Sequence, residues 1–171
     1  DIKQVKNELR KGIKQNYYLT GREWPYKNVK RKVIAEKYLV DESGVELKDY
    51  KLYCFDGKVK LIMINSDRNK ECSTKADYFD ADFNHLNMIW GYEQSSVVPS
   101  KPLYFEEMKL LAEKLSKGMP HVRIDFYIAD NRVFFGEMTF FDGSGFDAFG
   151  NIKDAKMLGE WINLPKTVVI D

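Results

Sequence analysis

The sequence predicts an α+β domain built on a mostly antiparallel sheet with flanking helices. Two hairpins support this prediction. They turn at Asp56-Gly57 and at Asp130-Asn131, where turn-forming residues separate runs of apolar and alternating side chains. The third observation is an amphipathic helix from Phe105 to Lys117, which leads directly into the second hairpin. We expect the rest of the chain to be organised around that second hairpin.

The composition limits the classes of function. At 171 residues the chain is one domain, or a large part of one, and its net charge is +1 with acids and bases interleaved. This balance argues against a general nucleic-acid or membrane surface. No apolar run approaches the roughly twenty residues that cross a bilayer. Cys54 and Cys72 lack metal-site spacing, which favours reduced thiols in a cytoplasmic protein. Asp1, rather than Met, opens the chain and suggests a piece of a longer protein.

Before the first hairpin the pattern predicts one helix and one strand. Apolar residues at spacings of three and four predict a helix that ends near Tyr17-Tyr18: Ile2, Val5, Leu9 and Ile13. The aromatic run Trp24-Pro25-Tyr26 is expected to pack over the sheet, with ligand stacking as the alternative. Lys32 to Val40 predicts a short buried strand, although Glu36 and Lys37 interrupt it.

The first hairpin joins the predicted strands Asp49–Phe55 and Lys58–Asn65. Lys51 stands in the middle of the first of these strands. Its side chain could extend along the apolar surface to the sheet edge, or point into a cleft as a phosphate contact. Both alternatives stay open at this point.

The remaining elements are shorter. A polar loop is expected from Ser66 to Ala81, followed by a helical turn that Asp82 caps and by a loop from Ser95 to Pro102. After the second hairpin come a glycine-broken loop from Asp142 to Gly150 and a helix from about Asp154 to Trp161. His85 and His121 are expected to be structural.

The second hairpin carries two unexpected acids. Asp125 and Glu137 lie inside apolar strands, although acids are poor strand formers, and we expect them near each other across the ladder. Adjacent carboxylates repel unless a positive group lies between them, and a hard cation such as Mg²⁺ would serve. The alternative is a solvated face on which Arg123 or Arg132 neutralises both acids.

Several sequence motifs resemble those of a known enzyme family. The run VRIDFYIADNRVFFGEMTFFDGSGF resembles the metal-binding end of ATP-grasp enzymes. More narrowly, the chain resembles the TupA-like branch of ATP-grasp proteins in the order of six motifs. These are IAEKYL, DYKLYCFDGK, the Arg68 loop, YFDADF, RIDFY and FGEMTF. That branch is associated with cell-surface polysaccharide and teichuronopeptide biosynthesis, and its members are often labelled glycosyltransferases. The resemblance covers almost the whole chain.

The resemblance implies roles for individual residues. Asp125 and Glu137 match the ligands of the Mg²⁺ that bridges the ATP phosphates, and Thr139 stands where the family usually has a third ligand, an Asn. For the nucleotide, the resemblance implies that adenine contacts Glu36, Lys37, Tyr38 and Leu39, and that the ribose lies near Asp41 or Glu42. It implies that Lys51 and Arg68 bind the phosphate or acyl phosphate, and that Arg123 binds the transferred group. The acceptor would contact the backbone of Gly143, Ser144 and Gly145.

The implied activity is ATP-dependent ligation of a carboxylate to an amine or similar nucleophile, through an acyl phosphate. The first lobe of an ATP-grasp fold normally carries a lysine-bearing strand and a glycine-rich loop, and nothing before Lys32 matches either. The chain is therefore expected to be the carboxy-terminal part of the catalytic domain, and we expect no turnover from it as it stands. Alternatives are a shortened relative that has lost the chemistry, a glycosyltransferase of polysaccharide synthesis, and a carbohydrate-binding module with Trp24, Trp90 and Tyr92 exposed as a platform.

Overall fold

The computed structural model of the chain describes residues 1–41, 47–66 and 74–166. Its centre is a six-stranded sheet in the order β4-β3-β2-β1-β5-β6, in which all neighbouring strands are antiparallel. The strands are β1 (Asp49–Phe55), β2 (Lys58–Ser66), β3 (Lys75–Asp80), β4 (His85–Leu86), β5 (His121–Ala129) and β6 (Arg132–Thr139). The α+β, mostly antiparallel architecture expected from the sequence is confirmed.

Both predicted hairpins form at the expected turns. Asp56 and Gly57 have φ of 49° and 75°, and Asp130 and Asn131 have φ of 49° and 54°. Positive φ at both central residues is the requirement of the two-residue turns that match the twist of a hairpin. The turn residues therefore align β1 with β2 in the first hairpin and β5 with β6 in the second.

In the described parts of the chain, four α-helices accompany the sheet: α1 (Ile2–Gly12), α2 (Tyr18–Gly21), α3 (Phe105–Leu115) and α4 (Ile152–Glu160). The predicted helices at the start, before the second hairpin and near the end are confirmed, although α1 ends earlier than expected. None of the α1 side chains is buried, so its apolar face stays exposed. Among the described residues, no helix combines the length and the apolar character needed to cross a bilayer.

The sheet buries one apolar core on each face. Alternate residues of β1 go to opposite faces, so Leu52 and Cys54 pack with Phe105 and Met108 of α3, whereas Tyr53 packs on the other face. That second face is where α4 docks through Leu158 and where the charged side chains of the central strands lie. The functional groups of the sheet therefore face away from α3.

Three predictions about elements are wrong. Residues Lys32 to Val40 form no strand and are largely exposed, because the segment pairs with none of the described strands. Residues 75–80, expected to be irregular, form β3, because β2 and β4 provide partners on both sides. The helical turn after Asp82 is instead a turn into β4.

The aromatic run near the amino terminus is a 3₁₀ turn, Trp24–Tyr26. Trp24 is 76% exposed and does not pack over the sheet as expected, whereas Trp90 stacks on Phe149 at 4.8 Å. Tyr92 is exposed. The three aromatic residues of the alternative carbohydrate platform are therefore not equivalent, since Trp90 is engaged in packing.

Candidate functional site

One guanidinium group binds three acids on the face of the sheet on which α4 docks. The Nε of Arg123 donates to Asp125 Oδ1 at 2.7 Å, and its Nη2 donates to Asp125 Oδ2 at 2.8 Å. The same Nη2 donates to Glu137 Oε1 at 2.9 Å, and Nη1 donates to Asp142 Oδ1. The planar fork of arginine suits this simultaneous binding of several carboxylates. Arg123 therefore links β5, β6 and the turn that follows β6.

Lys51 extends this network into β1. It lies directly opposite Asp125 in the β1–β5 ladder, and its Nζ is 2.5 Å from Asp125 Oδ2 and 2.7 Å from Asp49 Oδ2. Lys51, Asp49, Asp125 and Arg123 are all buried. Of the two alternatives for Lys51, the structure therefore favours the cleft over the sheet edge, with two acids holding the ammonium group.

A β-bulge brings Glu137 to the face of Asp125. Ile124 pairs with Met138 and Phe126 pairs with Phe135, so Asp125 faces two residues of β6, namely Gly136 and Glu137. In a ladder without the bulge, Glu137 would point to the opposite face from Asp125. The expected proximity of the two acids is confirmed, and the extra residue in β6 is its cause.

Gly136 makes this bulge sterically possible. A Cβ atom at this position would lie 2.9 Å from Tyr127 Cε2 and 3.1 Å from the carbonyl oxygen of Asp125. Both separations are shorter than the roughly 3.5–4.0 Å of comfortable carbon contacts. The missing side chain therefore lets β6 approach Asp125 closely.

Asp142 closes the network on the side of the glycine-containing turn. One of its oxygens accepts from Arg123 and the other accepts from the Tyr53 hydroxyl. Burial and the nearby Asp142 charge raise the pKa of Tyr53 well above its usual value, so the phenol stays protonated and can donate. Burial alone lowers the pKa of Arg123, but the hydrogen bonds and charge of Asp125 and the charge of Asp142 raise it overall.

A cleft of about 460 Å³ opens over this network. Lys51, Arg123 and Asp142 line it, together with Asp147 and Trp90. It thus combines two buried cations with acids at the rim. Cations positioned in this way can bind an anionic group such as a phosphate.

A second cavity, of about 410 Å³, shares Glu137 with the network. It is formed by Glu36, Lys37 and Leu39 of the segment before β1 and by Phe135 and other residues of the β5–β6 hairpin, among them Glu137. Lys37 also forms a long, exposed ion pair with Asp130, at 3.4 Å. The segment and the hairpin thus enclose space next to the network.

Comparison with protein families matches residues 1–163 to the family described as TupA-like ATPgrasp. The chain belongs to this family. Separate comparisons with curated proteins and with solved structures gave no significant match. Membership of the TupA-like ATP-grasp family accounts for the order of motifs along almost the whole chain.

The structure brings together five of the residues to which the TupA-like resemblance assigned roles. Asp125, Glu137 and Arg123 meet directly, and Lys51 joins them. Thr139 donates its hydroxyl to Glu137 Oε1 at 3.1 Å, so it holds the acid in place. Glu42 and Arg68 lie outside the described residues.

Of the other assigned residues, Gly143 lines the 460 Å³ cleft next to Asp142, and Glu36, Lys37 and Leu39 line the second cavity. Tyr38 is 87% exposed, unlike Leu39 beside it. Gly143, Ser144 and Gly145 all have positive φ in a 3₁₀ turn. The Ser144 hydroxyl donates to the buried Glu23 at 2.7 Å and is therefore engaged in holding the turn.

The donor set fits Mg²⁺ in one particular manner. The four acids and two cations of the network carry a formal charge of −2, and the candidate ligands all offer oxygen, the atom that Mg²⁺ prefers. Among residues 1–41, 47–66 and 74–166, no three acid, histidine or cysteine side chains are arranged to enclose a metal. Mg²⁺ in phosphate sites commonly uses one or two carboxylates and completes its shell with phosphates and water. Glu137, whose side chain is 60% exposed, and Asp125 can serve in that manner.

Sequence reasoning missed three polar residues of the site. Asp49 and Asp142 hold Lys51 and Arg123, and Tyr53 holds Asp142. Asp49, Lys51 and Tyr53 alternate along β1, so their shared face follows from the period of two of a strand. Asp142 gave no such signal, since only the fold of the turn brings it back to Arg123.

Proposed function

We propose that this protein is an ATP-dependent ligase that joins a carboxylate to an amine or a similar nucleophile. ATP with Mg²⁺ would activate the carboxylate as an acyl phosphate. The substrates would be small molecules or polysaccharide precursors, and the pathway would be the synthesis of cell-surface polysaccharide. Membership of the TupA-like ATP-grasp family supports the class of reaction, and the resemblance described above supports the pathway.

One observation carries this proposal. Glu137 belongs both to the cavity formed with Glu36, Lys37 and Leu39 and to the network held by Arg123. A nucleotide whose base occupied that cavity would direct its phosphates toward Glu137. The residues implied for adenine and those implied for the phosphates thus adjoin at one side chain.

The chemistry consists of two balanced steps. A carboxylate oxygen attacks the γ-phosphorus of ATP, the bond to the bridging oxygen breaks, and ADP leaves. The amine nitrogen then attacks the acyl carbon, the carbon–oxygen bond to phosphate breaks, and the amine loses a proton to water. Mg²⁺, when bound, supplies positive charge at the phosphate oxygens.

In this proposal, the chain's own residues position the reacting groups and neutralise their negative charge. Arg123 and Lys51 line the 460 Å³ cleft, where their charges would attract the transferred phosphoryl group or the acyl phosphate. Their buried acid partners fix both side chains before any substrate binds. Glu137, held by Arg123 and Thr139, and Asp125 would ligate Mg²⁺.

We also propose that residues 1–171 act as the carboxy-terminal part of the catalytic domain. An ATP-grasp fold holds the nucleotide between two lobes, and the strands of the described residues form one sheet. We place the reaction in the cytoplasm, where ATP is available and a free thiol such as Cys54 stays reduced.

The test is calorimetric titration of ATP, with and without Mg²⁺, into this chain and into a version extended at its amino terminus. We expect binding that depends on Mg²⁺ and is stronger in the longer version. Glu137→Gln should weaken it at least about tenfold, while Glu160→Gln, an exposed acid on α4, should not. Glu137 is suited to this test because its exposure makes a loss of stability small.

The opposite results are equally clear. If neither version binds ATP and a nucleotide sugar binds instead, the ligase proposal is wrong and a glycosyltransferase takes its place. If ATP binds equally well with and without Mg²⁺, or if both glutamate variants behave alike, Glu137 has no role in the metal site.

A further inference from the structure

A cavity of about 540 Å³ adjoins the cation-lined cleft and shares Trp90, Asp142 and Asp147 with it. Its volume is in the range of small-molecule sites in proteins. Most of its walls are apolar: Phe55, Phe141, Phe149, Leu158, Ile162 and Leu164. Of these, Phe141, Ile162 and Leu164 are 45%, 39% and 74% exposed. An apolar ligand would remove this surface from water, which is favourable.

The ionisable side chains that line this cavity are Asp142, Asp147 and His121. Burial lowers the pKa of His121, so its ring is neutral near pH 7. Because Nδ1 lies 3.1 Å from the Cys54 carbonyl oxygen, Nδ1 carries the proton and Nε2 is left as an acceptor. No lysine or arginine of the described chain lines the cavity. Its ionisable side chains thus offer acceptors and negative charge to a ligand.

The two acids differ in how they are engaged. Asp142 is held by Arg123 and Tyr53. The Asp147 carboxylate accepts no hydrogen bond and forms no ion pair within the described parts of the chain. It packs directly against Gly143, where a Cβ atom would overlap it. A glycine therefore keeps this uncommitted acid at the rim between the cavity and the cleft.

We propose that this cavity binds a primary amine carried on an apolar, ring-sized body, with the ammonium group at Asp147. The apolar walls take the body, and the acceptors select the cation over a neutral or acidic analogue. The adjoining cleft, in contrast, contains the cationic groups of Lys51 and Arg123, each bound by acids of the network. Naming this amine as the acceptor that attacks the acyl phosphate rests on the proposed function, whereas the binding itself does not.

The test is an NMR titration of the ¹⁵N-labelled chain with three probes. These are 2-phenylethylamine, its neutral analogue 2-phenylethanol, and ethylamine, which lacks the apolar body. We expect 2-phenylethylamine to bind at least about fivefold more tightly than either of the others. The amide shifts should centre on cavity residues such as Gly145, Phe149 and Gly159.

Two matched pairs of variants locate the contacts. Asp147→Asn should weaken the amine about threefold or more and leave the alcohol unchanged, while Asp82→Asn, an exposed acid elsewhere, should change neither. Phe141→Ala should weaken both ring-bearing probes, whereas Phe146→Ala, which is 85% exposed and does not line the cavity, should not.

Equal binding of amine and alcohol, an unaffected Asp147→Asn variant, or shifts outside the cavity would each overturn the proposal. Titration of ATP with Mg²⁺ is measured separately on the same samples. If the amine binds and ATP does not, the amine site stands and its role as acceptor falls. If ATP binds and the amine does not, the cavity proposal alone is wrong.

Discussion

Gly136→Ala tests whether the bulge in β6 builds the site. The new Cβ would lie 2.9 Å from Tyr127 Cε2 and 3.1 Å from the backbone oxygen of Asp125. The ring can rotate away, but the backbone oxygen belongs to a buried central strand. Overpacking of this kind costs about 1–3 kcal/mol. At roughly 2–4 °C per kcal/mol for a chain of this size, we expect the melting temperature to fall by about 2–12 °C.

The same change should also disturb the site. Relief of the clash moves β6 away from β5, which separates Glu137 from Arg123, now at 2.9 Å. Mg²⁺-dependent ATP binding should therefore weaken together with stability. The matched control is Gly159→Ala in α4, where no atom lies within 4 Å of the new Cβ and alanine favours the helix by roughly 0.5–1 kcal/mol.

Thermal unfolding followed by circular dichroism, together with calorimetric ATP titration, measures both effects. The control should melt slightly higher than the parent chain and bind ATP equally well. If Gly136→Ala melts at the parent temperature and binds ATP as the parent does, the close approach of β6 is not what brings Glu137 to Asp125.

Three further predictions concern buried groups. Lys51→Met should lower the free energy of unfolding by about 3–5 kcal/mol in urea titrations, since it removes the buried ammonium group that binds Asp125 and Asp49. Lys58→Met, which breaks an exposed pair, should cost less than about 1 kcal/mol, and similar losses in the two variants would contradict this prediction. Burial raises the pKa of Cys54 to about 11, so iodoacetamide at pH 8 should label this thiol only after the chain unfolds. Peptide mass mapping can follow the labelling, and rapid labelling of Cys54 in the folded protein would refute the prediction. Burial lowers the pKa of His121 in the folded state below 6.5, so as the pH falls the unfolded chain takes up the His121 proton before the folded chain does. The free energy of unfolding should therefore fall as the pH drops below about 6.5. In His121→Gln that part of the fall should disappear, and a pH profile identical to that of the parent chain would contradict the prediction.

Where the sheet is regular, the local sequence pattern was sufficient to predict the strands. The bounds of β1, Asp49–Phe55, agree with the prediction, because the Asp56-Gly57 turn and the alternation in the strand both act locally. The pattern failed at Lys32 to Val40, where apolar residues predicted a strand that has no partner in the described structure. Strand formation depends on a neighbour, and one segment does not reveal whether it has one.

The site shows the same division between local and tertiary information. Alternation along β1 is enough to place Lys51 on one face, but a plain ladder would direct Glu137 away from Asp125. Only the bulge corrects this, and its signal in the sequence is the glycine at position 136. Asp142 lies beyond the strands altogether, so neither strand period nor turn type predicts its contact with Arg123.

The burial of the network has a consequence for how the proposed site would act. Asp125 is held on both oxygens by Arg123 and Lys51, so its carboxylate is fixed without a metal. A carboxylate has about four lone-pair positions, and three donors occupy Asp125, which leaves one for an incoming cation. Glu137 is exposed, and Arg123 and Thr139 both donate to the same oxygen of its carboxylate, Oε1. Its side chain can therefore turn toward the same cation at little cost. The rigid acid would therefore set the position of Mg²⁺, and the exposed acid would adjust to it.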